Sequence, residues 1–209
     1  MTSATAVRRS EDDLGGAPPS RARASALERH VAFFDPAATG KVTIGQTWTG
    51  LGLLGIGLGW RVLLTPIING FLGYLTQGRA SFDIVVSKIK DGKHPFDTGS
   101  FDDAGEIDES ALAKLVEAGT GGALTAKEMR ALILARGNRR PAMGKLAGSL
   151  GRWFSGKEVQ LLFCLAADTK KNEEGREVPA VTPRTLRRLY DGSLFHLLAR
   201  RRRIRHARA

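Results

Sequence analysis

The chain has 209 residues, 32 Lys and Arg against 21 Asp and Glu for a net charge of +11, and is 42% hydrophobic and 25% charged. This composition belongs to a folded globular chain of one domain, or one domain with tails, and excludes both a wholly disordered chain and a many-span membrane protein. A single cysteine, Cys164, excludes an intramolecular disulfide framework and any zinc site needing two thiolates, and points to a reducing compartment.

Residues 1–22 lack an apolar core and mix Arg8, Arg9, Glu11, Asp12 and Asp13 with Gly, Pro and Ser, so they read as a disordered tail rather than a secretory signal. A mainly α-helical domain is expected over 23–199. In its first stretch, Leu27, Val31 and Phe34 recur at helical spacing, and His30 falls on the same apolar stripe. On the residues alone, such a histidine is more often a satisfied core residue than a ligand.

The stretch runs into Asp35-Pro36-Ala37-Ala38-Thr39-Gly40-Lys41-Val42-Thr43-Ile44-Gly45-Gln46, which has the frame of an EF-hand loop. Asp35 stands at position 1, Gly40 at the sharp turn and Val42 at the apolar eighth position. Positions 3, 5 and 12 hold Ala37, Thr39 and Gln46, so one carboxylate remains where a hard dication needs several. The expectation is a degenerate EF-hand-like helix–loop–helix in which Asp35, Thr39, the Lys41 backbone and Gln46 are vestigial ligands and calcium binding is weak or absent.

Between Val42 and Gly78 the only charged residue is Arg61. The apolar run, about 47–78, approaches a membrane span in length, yet its glycines, Arg61, Pro66 and Asn69 fit a bilayer centre poorly. A buried helix pair, a span and a segment lying on a membrane compete, and shallow association, with Trp48, Trp60 and Tyr74 near the ends of the runs, fits best.

Farther on, 95–105 reads as a loop, and helices are expected from about 108–110 and after the capping-box pair Thr125 and Glu128. Cys164 lies among Leu161, Leu162 and Phe163 and reads as a packed, inert thiol. Residues 168–177 read as a charged loop, and Thr182-Pro183 opens an amphipathic helix. Residues 200–209, with six arginines, read as a basic tail. Residues 184–209 hold nine arginines and one acid, so most of the excess charge is C-terminal. It suits an anionic membrane surface better than nucleic acid, for which no recognisable module is present. No Walker loop, GxSxG or HExxH pattern occurs.

Five segments in order carry a resemblance: His30-Val31-Ala32-Phe33-Phe34-Asp35 opening the loop, the apolar centre, Lys93-His94-x-x-Asp97-x-Gly99-x-x-Asp102, Ala123-Leu124-Thr125-Ala126-Lys127-Glu128, and Tyr190-Asp191-Gly192-Ser193-Leu194-Phe195. From about 27 to 198 the chain resembles the caleosins, the family that includes the plant haem peroxygenases. The resemblance implies a peroxygenase that binds haem b and transfers oxygen from a fatty acid hydroperoxide to unsaturated fatty acids or other lipophilic substrates, by epoxidation, hydroxylation or sulfoxidation. It also implies a place on a membrane or lipid-body surface, on the cytoplasmic side. Two haem-associated histidines of the family match His30 and His94, which are the candidate catalytic and axial residues. Permanent ligation by both would leave no position for the peroxide.

The departures are the lost carboxylates of the first loop and an apolar segment whose proline knot is reduced to Pro66. A second reading is therefore a non-catalytic membrane or lipid-body protein with a decayed calcium site. Thiolate ligation by Cys164 lacks any surrounding signature.

Overall fold

A computed structural model describes residues 24–92, 98–137, 145–172 and 174–207. The chain is mainly α-helical, and its short strands join pairs of helix–loop–helix units. Helix α1 (Ala26–Ala32) starts where Ser25 and Glu28 cap each other, the Ser25 Oγ accepting from Glu28 N and the Glu28 carboxylate from Ser25 N. A loop leads to β1 (Lys41–Val42) and to α2 (Ile44–Leu54), which opens on a second reciprocal cap between Thr43 and Gln46. Gly55, at φ +92°, ends α2 in the left-handed conformation that a residue with a Cβ resists.

The apolar centre is thus two helices, α2 and α3 (Leu58–Gln77), rather than one. Among the described residues no helix is long and apolar enough to cross a membrane. The segment is half core and half surface. Leu51, Leu54, Ile56 and Leu64 are buried with Phe33, whereas Leu58 is 67% exposed, Val62 61% and Leu63 42%. The Arg61 guanidinium lies 4.1 Å over the Trp48 ring, which gives the run's one charge an aromatic partner.

Asn69, fully buried in α3, accounts for another polar residue of that run. Its amide donates to Val42 O at 3.2 Å and to Phe82 O at 2.8 Å, pinning α3 to β1 and to the segment entering β2 (Ile84–Val85). β1 and β2 pair antiparallel, with Val42 opposite Ile84. A 3-10 turn over Val86–Gly92 follows.

The second half repeats the scheme. Helix α4 (Glu109–Glu117) is capped by Asp108, and β3 (Leu124–Thr125) leads into α5 (Ala126–Gly137) through the Thr125–Glu128 capping box expected from the sequence. Helix α6 (Lys145–Ala166) precedes β4 (Asp168–Lys171) and β5 (Glu177–Val181). The sheet order is β3-β5-β4, with Leu124 opposite Val181. Leu124, Val181 and Leu186, all fully buried, anchor this half's core. Helix α7 (Pro183–Tyr190) starts at Thr182 with Pro183 in its first turn, and α8 (Ser193–Ala207) closes the chain against α2.

Three expectations are corrected. The stretch 168–177 is not a loop: Asn172 accepts from Glu174 N and Arg176 N through its side-chain oxygen, and this turn folds β4 onto β5 as a hairpin. The basic stretch from residue 200 is the continuation of α8 as far as Ala207, since Arg and Ala are strong helix formers. Cys164 is exposed on α6, because Leu161, Leu162 and Leu165 supply that helix's packed face.

Candidate functional site

His30 sits near the end of α1, and its Nδ1 lies 2.7 Å from Leu189 O. A carbonyl can only accept, so Nδ1 carries the proton and Nε2 is the ring atom left with a lone pair. Burial is the leading influence on this imidazole and lowers its pKa, against the opposing pull of the Leu189 carbonyl and the Glu158 and Asp191 carboxylates. The ring is therefore held neutral, with its tautomer fixed by the backbone.

Aromatic side chains surround this point. The Phe195 ring stands edge-on to His30 at 4.9 Å, Phe33 lies 5.4 Å and Phe34 5.7 Å from Phe195, and His196 meets Phe33 at 5.2 Å. Two helix termini from distant parts of the chain make this contact, and Gly192 permits it. At φ +78°, a Cβ on Gly192 would stand 2.6 Å from Arg29 O and 2.8 Å from His30 Cα. The turn between α7 and α8 presses directly on the backbone that carries His30.

His94, the second histidine of the candidate pair, lies outside the described residues. Thr98 and Phe101, which follow it in sequence, touch the same terminus of α7: the Tyr190 hydroxyl donates to Thr98 Oγ1 at 2.7 Å, and the Phe101 and Tyr190 rings are 5.3 Å apart. The other histidines contribute differently. His196 is exposed beside Phe33, and His206 is exposed near the end of α8.

In the first loop, the Asp35 carboxylate is buried and accepts from Thr39 N at 3.0 Å, Thr39 Oγ1 at 2.9 Å and Gly40 N at 2.7 Å. The Gln46 amide nitrogen reaches Asp35 at 3.4 Å, while its oxygen is engaged by Thr43 N. The Thr39 hydroxyl also reaches Lys41 O at 3.1 Å. The residues expected as vestigial ligands are gathered, and they bond to one another.

Of the residues around His30, sequence reasoning missed Leu189 and the role of Gly192. Gly192 stood within the Tyr190–Phe195 motif, whose spacing from His30 gave no sign that the two pack together.

A sequence model of the family described as "Caleosin related protein" matches residues 22–199. The chain belongs to the caleosin family. The chain is also 30% identical over 183 residues to a protein named "Probable peroxygenase 4" from Arabidopsis thaliana, an alignment covering 84% of this caleosin and 86% of the plant protein. No solved structure matches this caleosin.

Proposed function

We propose that this caleosin is a haem-dependent peroxygenase that transfers oxygen from a fatty acid hydroperoxide to an unsaturated fatty acid or another lipophilic substrate. The observation that carries the reading is His30: a half-buried imidazole, its pKa lowered by desolvation, whose Nδ1–H is committed to Leu189 O, which leaves Nε2 as the nitrogen that would hold the haem iron. The peroxygenase name of the plant relative supports the reaction class. His94 is the second haem-associated residue on this reading. When bound, haem supplies the centre at which the hydroperoxide O–O bond is cleaved and oxygen is passed on.

The chain's own contributions follow from its geometry. Leu189 O orients the imidazole and keeps its proton on Nδ1, while Phe195, Phe33 and Phe34 give the site apolar walls that limit water. Between α5 and α6, a half-open cleft of about 270 Å³ sets Ile133, Leu134 and Val159 beside Arg130 and Arg152; it shares no lining residue with the aromatic group around His30, and on this reading its chemistry suits an acyl chain ending in a carboxylate. Purified protein supplied with haem should show a Soret band and epoxidise oleate with cumene hydroperoxide. Haem-loaded protein without oxygen transfer would favour the non-catalytic alternative.

The same reading puts the protein on a membrane or lipid-body surface. Leu58, Trp60, Val62 and Leu63 are exposed at the start of α3, and Arg202 of α8 lies beside Gly55, at the turn leading into that patch. Arg200, Arg201, Arg203 and Arg205 are exposed on α8. An apolar patch next to a cationic helix suits an anionic lipid surface, where each nearby arginine contributes about 1 kcal/mol. Changing these four arginines to glutamine should weaken binding to phosphatidylserine vesicles at least about tenfold, with haem content retained. Equal binding would leave α8 as a solvated charged helix.

A further inference from the structure

The frame at residues 35–46 recurs at 117–128, where the sequence alone gave only a capping box. Each segment joins two helices, α1 to α2 and α4 to α5. The sixth residue is a glycine with positive φ in both, Gly40 at +80° and Gly122 at +72°. The eighth is buried and apolar, Val42 and Leu124, and each lies in a two-residue strand opposite a further buried apolar residue, Ile84 and Val181. The ninth is a threonine that caps the next helix reciprocally with the twelfth residue, Gln46 in one and Glu128 in the other. These matches span turn, register and cap.

In an EF-hand loop the seventh carbonyl and the twelfth carboxylate are cation ligands. In 117–128 these groups are Ala123 O and the Glu128 carboxylate. The Lys170 ammonium donates to both, at 2.6 Å and 3.1 Å. Lys170 is delivered from β4, opposite Val178 of β5, and its side chain is only 11% exposed.

We propose that residues 117–128 form a second, EF-hand-derived cation loop whose resident cation is the Lys170 ammonium. Charge supports the substitution. The third and fifth positions are Gly119 and Gly121, which offer no side-chain oxygen, and the loop's carboxylates are Glu128 and an exposed Glu117 at the first position, fewer than a dication site gathers, so the loop suits a monocation. An ammonium also directs N–H groups at separate oxygens, as it does here. The hairpin therefore holds the loop in shape without a free metal ion. In the first loop the Thr39 hydroxyl, with its one proton, lies between the Asp35 carboxylate of the first residue, at 2.9 Å, and the carbonyl of Lys41, the seventh, at 3.1 Å.

The test is thermal unfolding of the full chain in chelator and in millimolar calcium chloride. Lys170→Met should lower Tm by about 4 °C in chelator, and calcium should restore about half of that loss by entering the vacated position at low affinity. Glu128→Gln should lose stability comparably and gain no more from calcium than the unaltered protein, which also subtracts any response of the first loop. The double variant should lose little more than either single one. An unchanged Tm for Lys170→Met would overturn the proposal. So would a Lys170→Met chain whose calcium response equals that of the unaltered protein, because Lys170 and Glu128 would then form an ordinary ion pair.

Discussion

Replacing His30 with alanine is expected to reduce bound haem to less than about a tenth of the unaltered level and to abolish oxygen transfer with it, since the loss removes both the donor nitrogen and the ring that Leu189 O holds in place. The helical circular dichroism should persist, because α1 keeps its Ser25 cap and the buried Val31. A His30→Ala protein with normal haem content and turnover would refute the assignment of this residue. The haem-free protein adds a second signature. The folded ring has its pKa lowered by burial, so at pH values below the ordinary 6.5 the unfolded chain binds the proton more readily than the folded one. Stability contributed by the neutral ring is complete above that value and is lost as pH falls toward the lowered one. The alanine chain should lack that component of its acid sensitivity, and denaturant titrations at several pH values measure the difference.

Gly192→Ala is expected to be the most damaging change of a single methyl near the site. It combines a left-handed backbone position, worth about 1–2 kcal/mol, with a Cβ driven against Arg29 O and His30 Cα. Backbone atoms on both sides leave little room to relax, so a total near 3 kcal/mol and a fall in Tm of about 10 °C are expected. Haem binding should weaken as well, because α1 must move away from Leu189 to admit the methyl group. Gly175→Ala is the matched control. Gly175 has φ +75° with nothing near its would-be Cβ, so only the conformational cost of about 1 kcal/mol applies. If calorimetry gave equal losses for the two variants, the proposed contact between the α7–α8 turn and α1 would carry no weight.

The features legible in the sequence are those encoded locally. The stripe of Leu27, Val31 and Phe34 gave α1, Thr125 with Glu128 gave the start of α5, and Thr182-Pro183 gave the start of α7. The same periodicity put His30 on a face that packs, where it meets Phe195. Long-range pairings were not legible. Nothing near Lys170 announces Ala123 and Glu128, which lie 47 and 42 residues away. The charged stretch at 168–177 resembled a loop because β4 is exposed except at Lys170, and the buried residues of β5, Ala180 and Val181, lie beyond that stretch, so it shows no apolar alternation. Cys164 was misjudged for a related reason: a run of neighbours averages the two faces of α6, and the cysteine belongs to the outer one. Family resemblance supplied the register of the Tyr190–Phe195 motif, but packing alone explains its glycine.

The hydrogen bond from His30 to Leu189 joins residues 159 positions apart. Such a contact closes a loop of nearly the whole chain, and the entropy of that closure makes it a late event in folding. During synthesis, α1 emerges long before α7 and α8, so the imidazole is exposed, without a fixed tautomer, until the C-terminal helices dock. The single-tautomer form of His30 is therefore a property of the finished fold, and on the proposed reading any cofactor held through this nitrogen would be taken up after chain completion rather than during it.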